Sequence, residues 1–206
     1  MVTEYLTISK EGMSLFKDRG SKFIGIALHV ESEEEVKQQL EKLQKQYHDA
    51  RHHCYAYMLG AKREVFRAND DGEPNHSAGD PILGQINSKE LTDTLVVVVR
   101  YFGGTKLGVS GLINAYKTAA EEAISEAKTI AIEVKQVFEL SYGYELTNEV
   151  MRLVNDFSIN IDDQKFEANC MLQGRIRIDL LDQLTEKVQL LKDLGNAIEF
   201  RSEEVN

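Results

Sequence analysis

The stretch Leu95–Tyr116, LVVVVRYFGGTKLGVSGLINAY, constrains this chain more than any other. An unbroken β-branched run has no polar face, so as a strand it must be covered on both sides. The glycines after it let backbone approach a neighbour closely, and the small-residue segment that follows has helical spacing from Ser110 to about Lys128. The unit reads as buried strand, glycine loop and helix. Its amides, with Lys106 in the loop and Arg100 at the strand's end, can bind an anion at the helix N-terminus. Alternatively Gly103, Gly104, Gly108 and Gly111 let the helix pack closely on the strand. Two nucleotide motifs fail on spacing. Gly103 and Gly108 have P-loop separation, but Val109 and Ser110 stand where lysine and serine or threonine are required, and no Rossmann fingerprint fits.

A chain of 206 residues with 42% hydrophobic content can bury one large core or two small ones. The longest apolar run, Leu95–Val99, is far short of a membrane span, and the N-terminal residues lack a basic region followed by an apolar one. Cys54 and Cys170 lie far apart without CxxC spacing, which excludes a disulfide framework or a four-cysteine zinc site. A soluble, unexported protein of the reducing cytoplasm is expected. The net charge of −10 argues against non-specific nucleic-acid binding, which needs many basic groups. Up to Lys135 there are 17 basic and 20 acidic residues, net −3; beyond it 7 and 14, net −7. The acidity is concentrated in the C-terminal part, and a local basic patch can still serve a specific site.

Residues 14–30 predict two strands around the turn Asp18-Arg19-Gly20-Ser21. Ser32 followed by Glu35 is a capping box, and Val36, Leu40, Leu43 and Tyr47 predict a helix over 33–47. His48, His52, His53 and Cys54 raise the question of a metal site. At the mouth of a strand, however, His52 and His53 point to opposite faces, so the preferred reading is a helix-to-strand connection with one ring buried and one exposed. Strands over 53–60 and 64–68 follow. The segment DDGEPNHSAGDPIL, Asp70–Leu83, is a loop, with Asp80 before Pro81 as N-cap of a short helix. Asp70, Asp71 and Glu73 have the chemistry to hold magnesium, and His76 or Ser77 to act as polar catalytic groups. Turn formation accounts for the same residues.

The second half predicts a strand at Val137–Tyr144, a helix over 147–157, strands over 158–162 and 165–179, a helix at Leu181–Leu194 stopped by Gly195, and a strand at Ala197–Arg201. This is the βαββαβ order of a ferredoxin-like domain. Arg175 and Arg177 share one sheet face, exposed and potentially RNA-facing.

The strings DDGEP, SAG.PIL and VVVVRYFGGTKLGVSGL, with HHCYAYMLG upstream, resemble the signature of the YigZ/IMPACT family along the whole chain. The resemblance implies a mixed α/β (α+β) protein of two domains. Residues 1–134 are expected to form a domain like domain four of elongation factor G and the second domain of a small-subunit ribosomal protein. Residues 135–206 are expected to form a ferredoxin-like domain similar to domain five of that factor. Eukaryotic relatives regulate translation initiation by binding the ribosome-associated activator of a general-control kinase. Carried over position by position, binding falls on Asp70, Asp71, Gly72, Glu73, Ser77, Gly79, Arg100, Tyr101, Gly103, Gly104, Lys106, Gly108 and Gly111. The sequence departs from the usual bacterial pattern at Asn75, His76, Ser110 and Asn114. No catalytic residue, cofactor or resident metal is implied.

Two functions of different class follow. One is a binding module for RNA, the ribosome or a translation-associated protein, with a pure protein–protein adaptor as a lesser variant. The other is an enzyme acting on a phosphorylated or nucleotide substrate with a metal-assisted acidic loop. Whether the loops Asp70–Gly79 and Gly103–Gly111 lie side by side discriminates a composite site from two turns.

Overall fold

The structure is a computed structural model and describes residues 1–167 and 169–202. The chain divides into two compact units, Glu4–Ile132 and a second comprising Met1–Thr3 with the chain from Glu133 onward.

The apolar run forms β6 (Thr94–Tyr101), the central strand of a five-stranded sheet. It pairs with β3 (Ser21–His29) and β4 (His52–Leu59), both antiparallel, and the edges are β2 (Gly12–Asp18) and β5 (Val65–Asn69). Antiparallel sheets often leave one face wet. This one does not, because helices cover both sides, and that explains a strand without a polar face. Val96 and Val98 pack in one cluster with α2 (Gly79–Ser88) and α3 (Gly108–Glu126). Leu95, Val97 and Val99 pack in another with α1 (Glu33–Gln46). The same alternation puts Arg100 on the α3 side.

Local signals explain most elements. Arg19 and Gly20 both have positive φ, 44° and 82°, as a two-residue hairpin turn requires. Ser32 accepts from the Glu35 amide, and Glu35 accepts in turn from the Glu31 amide. The close approach of α3 to the sheet, however, does not use the loop glycines. A Cβ on Gly12 would lie 2.1 Å from the Ala123 carbonyl oxygen, and one on Gly25 would lie 2.3 Å from that of Ala119. At Gly104 and Gly108 a Cβ would meet nothing within 4 Å. Their φ values of 88° and 74° require glycine instead.

Three boundaries differ from the sequence reading. The stretch after α3 is a strand, β7 (Lys128–Glu133), paired with β1 (Glu4–Lys10) in a small second sheet. The helix α3 starts at Gly108 rather than Ser110. Asp80 is not the N-cap of α2: Ala78 holds that position, and the side chain that satisfies the first amides is Asp70.

In the second unit, β8 (Lys135–Gly143), α4 (Thr147–Asp156), β9 (Asn160–Lys165), β10 (Asn169–Arg177), α5 (Leu181–Asp193) and β11 (Ile198–Ser202) follow in order. The sheet order is β11-β8-β10-β9, antiparallel throughout, with helices packed on one face. The strand expected over 165–179 begins later, and its residue Ala168 lies outside the described residues.

Candidate functional site

At one end of the five-stranded sheet the two loops are apposed. The acidic loop, the segment before β4 and the glycine loop enclose a cleft of about 460 Å³. Its lining includes Arg51, His52, Glu73, Pro74, Arg100, Phe102 and Lys106, followed by the first turn of α3.

The floor is built by strand register. Phe23, Arg100 and His52 stand directly opposite one another across β3, β6 and β4. Arg100 is only 6% exposed, and its guanidinium lies 5.5 Å from the centroid of Phe23 and 5.6 Å from that of Phe102. A buried arginine needs a counter-charge. Glu73 supplies it, accepting from Arg100 Nη1 at 2.5 Å and from the Tyr116 hydroxyl at 2.8 Å, both on Oε1. Arg100 Nε has no hydrogen-bond partner among the described residues. Beneath, the Cys54 thiol reaches the Tyr116 oxygen at 3.3 Å and the Asp70 carbonyl at 3.0 Å. Burial raises the pKa of both Cys54 and Tyr116, so each stays protonated and acts as a donor.

The acidic loop is held by its own carboxylates. Asp70 Oδ1 accepts from the amides of Ala78 and Gly79 at 2.9 and 2.8 Å, and Oδ2 accepts from the His76 amide at 2.8 Å. Burial raises the Asp70 pKa, but these backbone donors outweigh it and hold the carboxyl below its ordinary value. Asp71 turns to the His53 amide at 2.6 Å. The three carboxylates therefore serve three different partners and do not converge. Among the described residues, no group of three or more His, Cys, Asp or Glu side chains is disposed to hold a metal ion. His52 is partly exposed and bonded to the Asp71 carbonyl, whereas His53 is buried, as the alternation of β4 requires.

Several residues singled out in the sequence serve as scaffold at this end. Gly103 sits against the hairpin turn, its amide donating to Ser21 Oγ at 3.1 Å, and Gly72 has φ 83°. Ser77 is buried and donates to the Pro74 carbonyl, and Gly79 lies so close to Asn69 that a Cβ would come within 2.5 Å. Tyr101 is turned aside to Asp49, a bond that raises its hydroxyl pKa to about 12. Gly111 lies in the first turn of α3, where its Cβ would stand 3.0 Å from that of Leu107. Glu73, Arg100, Lys106 and Gly108 reach the cleft lining itself.

Arg51, Phe102, Leu107 and Tyr116 were not singled out as site residues in the sequence. Of these, Phe102 carried a usable signal, an aromatic followed by two glycines at a strand end. In the second unit, Arg175 and Arg177 do share an exposed face. Arg175 is bidentate to Asp162 and Arg177 to Asp179, so their charge is locally balanced.

Fold and site together define a mixed α/β protein with an apolar, cation-rimmed cleft at the end of an antiparallel sheet. The family profile described as the Impact N-terminal domain matches residues 19–124, which include every cleft residue. The IMPACT family member YvyE of Bacillus subtilis is 35% identical over 169 residues, 82% of this chain and 78% of the relative. The IMPACT family member YigZ of Escherichia coli K12 is 30% identical over 155 residues, 74% and 76% of the two chains. The chain belongs to the IMPACT family. A crystal structure of a hypothetical protein shares the fold over the full length of both chains, with a TM-score of 0.74 at 24% identity. No helix among the described residues is long and apolar enough to cross a membrane.

Proposed function

We propose that this protein is a cytoplasmic accessory module that acts in translation regulation by binding RNA, either free, within the ribosome or on a translation-associated complex. The observation that carries the reading is the convergence of the exposed Arg51 and Lys106 with the exposed ring of Phe102, above the Arg100–Glu73 pair, in one cleft of a chain whose net charge is −10. Cationic groups interleaved with an exposed aromatic suit a phosphate backbone and unstacked bases. The family resemblance of the motifs, which implies a role in translation, supports the same direction. Asp70, Asp71 and Glu73 are committed to protein donors, so nothing in the geometry favours the metal-assisted enzyme.

The test is ribosome co-sedimentation and RNA filter binding at physiological salt, comparing the wild type with the double variant Arg51→Glu, Lys106→Glu. Both residues are exposed, so the variant keeps its fold. The wild type associates, and the variant binds at least ~10-fold more weakly, with a shallower salt dependence. A wild type that associates with neither RNA nor ribosomes refutes the proposal.

A further inference from the structure

The N-terminus of α3 meets the cleft in an unusual state. The helix has 19 residues, no side chain caps its first amides, and no acidic residue stands in its first turn. Leu107, Gly108 and Val109 line the cleft, so the positive end of the helix dipole faces it. A second, independent observation lies in the same lining: the buried guanidinium of Arg100, with Nε unpartnered. The one carboxylate of the lining, Glu73, is already engaged by Arg100 and Tyr116 and leaves no free anion to repel a ligand. Lys106 adds an exposed cation at the rim. Beside these sits Phe102, 53% exposed, backed by Arg100. A volume of about 460 Å³ suits one small ligand.

We infer that the cleft holds a single nucleotide, with its base against Phe102 and its phosphate at the N-terminus of α3 beside Lys106. This rests on the RNA reading above and names what that reading leaves open: which part of the RNA is gripped, and by which atoms. Uncapped helix amides are donors aimed at an oxyanion. Stacking on an aromatic ring is indifferent to base identity, so the subsite is expected to discriminate for phosphate and only weakly among bases.

The experiment titrates the full chain by calorimetry with UMP, uridine and inorganic phosphate. UMP binds at least about 5-fold more tightly than uridine. Lys106→Ala brings UMP toward uridine and leaves uridine unchanged, whereas Phe102→Ala weakens both by about 10-fold. Both side chains are exposed, which keeps the variants folded. Equal affinity for UMP and uridine, indifference to both substitutions, or no binding of UMP overturns the inference. Oligouridine carrying a 5′-phosphate or a 5′-hydroxyl separates the sources. A preference for the former assigns the subsite to a chain terminus, and equal binding assigns it to an internal phosphodiester; either keeps the phosphate subsite. If UMP binds with this signature but RNA and ribosomes do not, the functional proposal falls alone. If RNA binds and UMP does not, the nucleotide subsite falls alone.

Discussion

Replacing Glu73 with Gln isolates what the buried charge pair does for the first unit. Glu73 Oε1 receives both the Arg100 guanidinium and the Tyr116 hydroxyl, and all three side chains are buried. Glutamine preserves the volume and one acceptor but removes the charge, leaving a guanidinium in low dielectric with no carboxylate. The rings of Phe23 and Phe102 remain at 5.5 and 5.6 Å, and such contacts contribute about 1–2 kcal/mol, too little to replace an ion. Breaking a buried pair from one side costs about 3–5 kcal/mol. Because one hydrogen bond survives in Glu73→Gln, the lower end applies, about 3 kcal/mol. At roughly 3 °C per kcal/mol for a unit of this size, Tm falls by about 10 °C. Urea and thermal unfolding followed by circular dichroism measure both quantities. The decisive comparison adds Arg100→Met. With the stranded charge gone, the double variant recovers at least about half of the loss. A single-variant cost below about 1 kcal/mol, or a double variant as unstable as the sum of the two singles, refutes the reasoning.

Gly103→Ala places a Cβ 1.9 Å from the backbone of Gly20, so it pries the glycine loop from the hairpin turn and lowers Tm by more than Gly104→Ala, whose added Cβ is free of clashes. Differential scanning fluorimetry ranks the two, and the strained φ alone costs Gly104→Ala about 1 kcal/mol. Asp70→Asn loses charge-assisted bonds to backbone amides, costing about 2 kcal/mol at pH 7. The folded-state pKa of Asp70 lies below that of an unperturbed aspartate, so its contribution is present above the ordinary value and lost as the pH falls through the lower, folded one. Unfolding curves of wild type and variant therefore converge in acid. His53 is buried with Nε2 unpartnered, and burial lowers its pKa from 6.5. The unfolded chain takes up the proton first, so stability declines as pH drops from 7 to 5, and His53→Gln flattens that slope in urea titrations.

What the sequence disclosed follows from where each signal originates. The strand β6, the capping box of α1 and the strand–helix order of the second unit are carried by neighbours in sequence, and the structure has them in that order, with the bounds of β9 and β10 shifted. The cap of α2 is not local: Asp70 reaches Ala78 and Gly79 from eight and nine positions away, while Asp80, next to the proline, offered the familiar pattern. The strands β1 and β7 escaped notice because β7 is almost wholly exposed and its partner is more than a hundred residues away. The cleft was half legible. Lys106 and Arg100 stood out as charges beside glycines, but that Arg100 is buried depends on the register that sets it between Phe23 and His52. The glycines that admit α3 to the sheet, Gly12 and Gly25, lie in strands remote from the helix they accommodate.

The pairing of β1 with β7 bears on how the chain comes to fold as it is made. The strand Glu4–Lys10 is made well before the strand it pairs with, Lys128–Glu133, which comes only at the far boundary of the unit. Until then β1 has no strand partner among the described residues, although Leu6 can already bridge to Leu91. The hairpin and central strands can assemble during translation, but the small sheet closes only once the chain through Glu133 has been made. Closure by so distant a pairing makes the last step of this unit's folding its longest loop, and hence the step whose rate is most sensitive to chain entropy.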